Sequence, residues 1–402
     1  MKRLACEICG GTDLVKQDGL FVCQSCGCKY TIEEARKMMR EESVESSATA
    51  KAETSSRSKE DWVVRRDQAI SFGILGDKAV ERGDLKDAQS FFEKAFVIFK
   101  ELSEEVGTAD AWMDLAFCYE RLGDMAKARG DLSSAQSCYE KTFAIFKEMW
   151  EKAKRLDARR EMYVIYSRLA SIASERGDLA AAQRYYENAL AINQELYEKT
   201  GTLDAKKDLA IAYLLVGRTA LERGDLSTTQ SCYEKGAVID NELLEKTGNT
   251  DVYDTLAVFY QELGKIAEAK GDLVTAQRYY EKALPLEEKM AEEMGVRREL
   301  PILYEHIGNI AKEKGDLAGA LRYYEKALNQ FEVVAATEES LLAYKDLAII
   351  LYNLGAFLFD NNVNKIRAKA MFERVYDLGR INGGGYLQGL DQQAKNVLDR
   401  FF

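Results

Sequence analysis

The triplet Gly-Asp-Leu recurs at 83–85, 130–132, 177–179, 224–226, 271–273 and 315–317, and successive copies stand 47, 47, 47, 47 and 44 residues apart. A fixed period of this length marks an array in which each unit packs chiefly on its neighbours. It also accounts for 402 residues, a length beyond which a single core stops growing. Each triplet is followed by one phrase: DAQSFFEKAF (87–96), SAQSCYEKTF (134–143), AAQRYYENAL (181–190), TTQSCYEKGA (228–237), TAQRYYEKAL (275–284) and AGALRYYEKAL (318–328). A seventh copy, IRAKAMFERV (366–375), lacks the triplet.

Each period divides into two helices. Before every triplet, apolar residues recur at three- and four-residue spacing, as in LAIAYLLVGRTAL (209–221). The glycine ends that helix, because it accepts left-handed dihedrals. The aspartate then caps the next helix with its side-chain oxygen. Each hairpin carries an apolar stripe that it cannot cover alone, so the hairpins are expected to stack as a solenoid.

The spacing resembles the tetratricopeptide repeat (TPR) family, whose first helix carries an aromatic residue, a Leu-Gly pair and a small residue. Eleven residues before each break glycine stand Phe72, Tyr119, Tyr166, Tyr213, Tyr260 and Tyr304, and the same register puts Tyr352 in the seventh copy. Seven before lie Gly76, Gly123, Ala170, Gly217, Gly264 and Gly308, and four before is always alanine. The resemblance covers roughly residues 60–376 and implies an all-α fold: a right-handed TPR superhelix of about seven hairpins over 61–380. The family's usual unit has 34 residues, so a 47-residue unit implies longer helices and a broader superhelix.

Two irregularities are expected. Pro285 falls inside a second helix and should kink or shorten it. Pro301 falls near a helix start, where proline is tolerated, and the 44-residue period lies between the two. At the C-terminus, residues 385–402 place Leu387, Leu390, Ala394, Val397 and Phe401 on one face and read as a capping helix, with partner docking as the rival reading.

Five of eight cysteines crowd into the first thirty residues. Cys6-x2-Cys9 and Cys23-x2-Cys26 have the spacing of a structural four-cysteine Zn2+ site. Asp18-Gly19 between them signals a hairpin. A redox pair would need a βαβ setting, and a catalytic zinc would need an open position that four thiolates deny. Cys28 stands outside this first shell, either as a neighbouring thiol or as an alternative ligand. Residues 1–30 resemble a zinc ribbon of the TFIIB type found at the start of many bacterial proteins. TIEEARKMMREE (31–42) reads as a short helix with a capping box, and 43–60 as a flexible linker. Cys138 and Cys232 fill a slot held elsewhere by Phe91, Tyr185, Tyr279 and Tyr323, and together with Cys118 they read as packing residues.

Net charge is −11 with acids and bases intermixed, so nothing drives the chain as a whole towards nucleic acid or an anionic membrane. The first forty residues carry seven Lys/Arg against five Asp/Glu, too small an excess for a strong phosphate footprint. No apolar run approaches a membrane span and the N-terminus lacks a secretion signal, which together imply a cytoplasmic setting. One histidine and the absence of a phosphate-binding loop argue against an enzyme.

In the TPR family, first-helix side chains line the binding groove. That register nominates Glu120, Arg121, Asp124, Lys127, Arg168, Arg218, Glu262, Lys265, Glu305, His306, Asn309 and Lys312. His306 has no second ligand beside it in the sequence and reads as a surface histidine. The expected function is a scaffold that binds a protein or peptide, with the zinc module as a second docking element. The alternative is a regulator whose ribbon contacts nucleic acid or the transcription machinery.

Overall fold

The computed structural model describes residues 14–17, 20–25, 28–31, 50–248, 250–295, 297–381, 387 and 389–402, with side chains from residue 61 onward in the first helix. Cys6, Cys9, Cys26 and the helix expected over 31–42 lie outside the described residues. Among the described residues, three short strands come first: β1 (Leu14–Gln17), β2 (Leu20–Cys23) and β3 (Lys29–Tyr30). They form one antiparallel sheet in the order β1-β2-β3, with Gln17 opposite Leu20, so the β1–β2 connection is the two residues 18–19. Cys23 and Tyr30 are buried against Leu14, Phe21 and Cys28.

Fifteen α-helices follow among the described residues, in two compact units divided between Ile192 and Asn193. The first unit holds α1 (Ala50–Glu81), α2 (Leu85–Val106), α3 (Ala109–Ala128), α4 (Leu132–Ala153), α5 (Leu156–Glu175) and most of α6 (Leu179–Thr200). The second holds α7 (Leu203–Glu222), α8 (Leu226–Thr247), α9 (Tyr253–Ala269), α10 (Leu273–Met294), α11 (Glu299–Glu313), α12 (Leu317–Glu338), α13 (Leu341–Asp360), α14 (Lys365–Ile381) and α15 (Leu390–Phe401). Odd-numbered helices from α1 to α13 open a hairpin and even-numbered ones close it.

The Gly-Asp-Leu breaks behave as their chemistry requires. Gly83 sits at φ 76° and donates to the Val80 carbonyl, while the Asp84 N–H reaches back to Ala79 at 2.9 Å, which closes α1. The Asp84 carboxylate then accepts from the Asp87 N–H and caps α2. Asp131, Asp225, Asp272 and Asp316 cap α4, α8, α10 and α12 in the same way.

Between the two helices of a hairpin, the small residue seven before the break meets a ring from the second helix. A Cβ built on Gly123 would lie 2.7 Å from the Tyr139 ring, and one on Gly217 would lie 2.5 Å from Tyr233. The largest fully buried side chains include Phe92, Tyr139, Tyr233, Tyr280, Tyr324 and Phe372, one from each of six second helices.

Several expectations change. The helix beginning at Ala50 takes up part of the stretch expected as linker. Residues 50–60 lack an apolar face but contain no Gly or Pro and several good helix formers, and α1 extends through them. Pro285 does not shorten α10, which runs 22 residues like α8 and α12. Ala283, Leu286 and Met290 are buried on either side of it, and that packing offsets the lost backbone bond. The 44-residue period arises instead in α11, which has 15 residues where α3, α5 and α7 have 20.

In the seventh hairpin Asn362 takes the left-handed break position at φ 53°, and Asn364 caps α14. Eleven residues before Asn362 is the buried Leu351, so Tyr352 stands one position beyond the slot assigned to it. The extra loop residue shifted the count. α13 is long and apolar enough to cross a membrane by length and composition, contrary to the expectation that no such run exists, but half of it is buried in the core of the second unit. On that core lie Leu387 and Ala394, with Leu390 and Val397 of α15 packed beside them.

Candidate partner-binding face

The nominated residues all stand on odd-numbered helices, and most are tied to a neighbouring odd helix rather than left free. In the first unit, Arg121 on α3 meets Asp77 on α1 at 3.4 Å. Arg168 on α5 pairs with Glu120 at 2.7 Å and with Asp124, both on α3, and lies over the Tyr139 ring. Burial works against the Arg168 charge, but Asp124 and Glu120 outweigh it and hold the guanidinium charged. Lys127 bridges to Ser171 at 2.7 Å and Glu175 at 2.9 Å on α5. These contacts form an inter-hairpin ladder, in which charges help set the spacing of first helices.

In the second unit, Glu262 pairs with Lys265 one turn along α9 at 2.7 Å. His306 is not a surface histidine. It is half-buried, its Nδ1 lies 3.0 Å from Glu268, and its ring stacks on Tyr280 at 5.1 Å. Burial lowers its proton affinity; Glu268 opposes that and Lys265 adds to it. Asn309 accepts from the Tyr324 phenol at 2.7 Å, and Glu305 accepts from Asn353 at 2.7 Å. Burial raises the Glu305 carboxyl above its usual range. Arg218 and Lys312 are exposed and make no ion pair among the described residues.

Three features escaped the sequence. Tyr139, Tyr280 and Tyr324 come from second helices, yet their phenols reach the odd-helix face and donate to Asp124 (2.6 Å), Glu268 (2.8 Å) and Asn309. The position thirteen before each break is apolar and at least partly exposed: Ile70, Phe117 and Val164 in the first unit, Ile211, Val258 and Ile302 in the second. It was readable in the repeat, but periodicity alone assigns such residues to a core. Finally, one second-helix slot holds Phe99, Phe146 and Phe331 but, in the three hairpins between, Asn193, Asp240 and Glu287, each of these three about 1% exposed.

The Asp240 carboxylate accepts from Thr255 at 2.5 Å through Oδ2, while Oδ1 has no partner among the described residues. Burial pushes this carboxyl up to about 6. Glu287 accepts from Gln261 at 2.7 Å and from Arg297 at 3.3 Å.

Of the cysteines, Cys118 donates to the Phe92 carbonyl at 3.3 Å, and burial pushes its thiol up to about 12, which fits packing rather than reactivity. Cys23 ends β2 fully buried, and its N–H donates to the Cys28 carbonyl at 2.8 Å. Cys23 is the one nominated zinc ligand within the described residues.

Comparison with known proteins follows this geometry. Family models described as tetratricopeptide repeat match residues 161–224 and, in a second model, 252–289 and 302–330. No curated protein matches the sequence. Among solved structures, BtubC (BKLC) from P. vanneervenii is similar at 18% identity, over 62% of this chain and 92% of that one, with a TM-score of 0.47. The apo quorum sensor NprR from B. thuringiensis is similar at 14% identity over 83% and 88%, with a TM-score of 0.46. The S. pombe nuclear import adaptor Nro1 is similar at 12% identity over 73% and 100%, with a TM-score of 0.47. The chain is therefore built on helical hairpins that include tetratricopeptide repeats over 161–224, 252–289 and 302–330.

Proposed function

We propose that this chain is a non-enzymatic scaffold that holds a peptide or protein segment along the face of its odd-numbered helices. On this reading all seven hairpins are TPR units with lengthened helices. The observation that carries the proposal is a contrast on those helices. Packing positions repeat from hairpin to hairpin, whereas face positions change in charge and size and include the exposed, unpaired Arg218 and Lys312. A surface that only needed solvation would not keep an apolar, at least partly exposed residue in the same register through six hairpins.

The test is hydrogen exchange on the full chain with peptides selected from a random library. Protection should fall on α1, α3, α5, α7, α9, α11 and α13; protection confined to even-numbered helices would sink the reading. Reversing Arg218 and Lys312 to Glu should weaken binding of acidic selected peptides at least tenfold. The N-terminal segment is proposed as a zinc-stapled docking module held by Cys6, Cys9, Cys23 and Cys26. Such a site contributes on the order of 10 kcal/mol to folding of its own segment. Elemental analysis should give one Zn2+ per chain and none after Cys23→Ser, with helical circular dichroism unchanged.

A further inference from the structure

The first hairpin departs from the ladder seen further along its unit. Where α3 and α5 carry Arg121 and Arg168 nine residues before the break, α1 carries Ile74; where α3 carries Glu120, α1 carries Gly73. The result is a hollow of about 230 Å³ between α1 and α3, lined among others by Ile70, Gly73, Ile74, Phe99 and Phe117. Ile70, Ile74 and Phe117 are 39%, 50% and 40% exposed. A Cβ built on Gly73 would meet nothing within 4 Å, so the space is open at that point. The volume falls below the roughly 300 Å³ at which small-molecule pockets begin and suits a single side chain.

Charge says what kind of chain brings that side chain. Along one stripe of α1, at the spacing i, i+3, i+7, i+10, i+14, stand Asp67, Ile70, Ile74, Asp77 and Glu81. Asp67 and Glu81 are exposed and make no ion pair among the described residues, and Asp77 shares only a 3.4 Å contact with Arg121. The remaining nearby acid, Asp114, is already held by Arg66. Arg121 also lines the hollow but is turned to Asp77, so the stripe is an apolar socket between two acidic ends. Asp67 and Glu81 are about 21 Å apart at 1.5 Å per helical residue, a distance spanned by about six extended residues.

We infer that the α1–α3 hollow is a docking socket for an extended peptide that inserts one leucine-sized apolar side chain and carries a Lys or Arg about three residues to either side of it. The inference rests on the reading of the odd-helix face as a binding face and adds the place and the chemistry of its partner.

The probe is a fluorescein-labelled peptide Lys-x-x-Leu-x-x-Lys in a Ser/Gly background, titrated by anisotropy against the full chain. Replacing its Leu by Ala should weaken binding at least tenfold, the loss expected when a buried leucine-sized side chain is removed. Gly73→Leu fills the socket from within and should weaken the parent peptide at least tenfold. Leucine is the better helix former, so unchanged circular dichroism will show that the loss is not unfolding. Asp67→Lys with Glu81→Lys should lose the Lys-flanked peptide and gain the Glu-flanked one.

Equal binding by Gly73→Leu, or no recovery by the charge-swapped pair, overturns the inference. So does a dimer of the wild-type chain that Gly73→Leu dissociates, since the occupant would then be a second copy. Arg218→Glu with Lys312→Glu should leave this peptide untouched. If library peptides still protect odd helices while this probe fails, the socket falls and the scaffold reading stands.

Discussion

The two units use the same scaffold positions and distribute polarity differently. In the first, Arg121, Lys127 and Arg168 all have carboxylate partners across the odd helices, and the shared second-helix slot is filled by Phe99 and Phe146. In the second, Arg218 and Lys312 stand unpaired on the face although Arg298 meets Asp346 on α13, while Asn193, Asp240 and Glu287 occupy three of the slots inside and Phe331 a fourth. A buried polar group costs free energy unless it is fully hydrogen-bonded, and the Asn193 and Asp240 Oδ1 atoms have no partner among the described residues. The first unit is therefore held by an apolar interior and a charge ladder. The second places polar side chains in three of its shared interior slots and leaves Arg218 and Lys312 available at the surface.

The largest test of this contrast is Phe146→Ala in the first unit. Phe146 is fully buried, and its truncation should cost about 3–5 kcal/mol in urea denaturation. A loss below about 1 kcal/mol would mean the slot is not what separates the units.

The second test is Asp240→Asn. The folded carboxyl is raised to about 6 from an ordinary 3.8, chiefly by burial, with Thr255 and Lys207 opposing the shift. Folded protein then holds a proton that the unfolded chain has already released. Its contribution is complete below pH 4 and is lost as pH rises through 6, up to about 3 kcal/mol. The melting temperature of Asp240→Asn should match wild type at pH 4 and exceed it increasingly towards pH 7. A constant difference would show that Asp240 is not titrating.

The third test compares three arginines. Arg168→Met should cost about 1–3 kcal/mol because Glu120 and Asp124, 12% and 23% exposed, lose their partner. Arg218→Met should lie within about 0.5 kcal/mol of wild type, as surface changes do. Between these two lies Arg121, whose exposed 3.4 Å pair with Asp77 should contribute less than about 1 kcal/mol. Equal costs at Arg168 and Arg121 would break the ladder.

Much of the fold was legible because its causes are local. The break at Gly83, the cap at Asp84 and the small residue at Gly123 each need a particular residue type at a fixed count, and sequence displays counts directly. The count failed where one loop residue was added, and Tyr352 was misplaced beside Leu351 for that reason. Local propensity also overstated Pro285, which does not shorten α10, where neighbouring residues are buried. The face was legible only as a set of positions. Which arginines were free was not, because Arg168 meets Asp124 from 44 residues away and that pairing depends on how hairpins stack.

Sequence by itself determined that the chain is a run of helical hairpins, where each one turns, and which helix of each pair carries the variable face. Those properties follow from backbone dihedrals and from side-chain volume within one repeat. Only the tertiary structure decided that Tyr280 and Glu268 frame His306, that Asp240 is buried with an oxygen unpartnered, and that Gly73 opens a hollow. Each of these depends on groups that adjacent helices and hairpins bring together. A repeat fixes what every unit has in common, and the contacts between units fix where they differ.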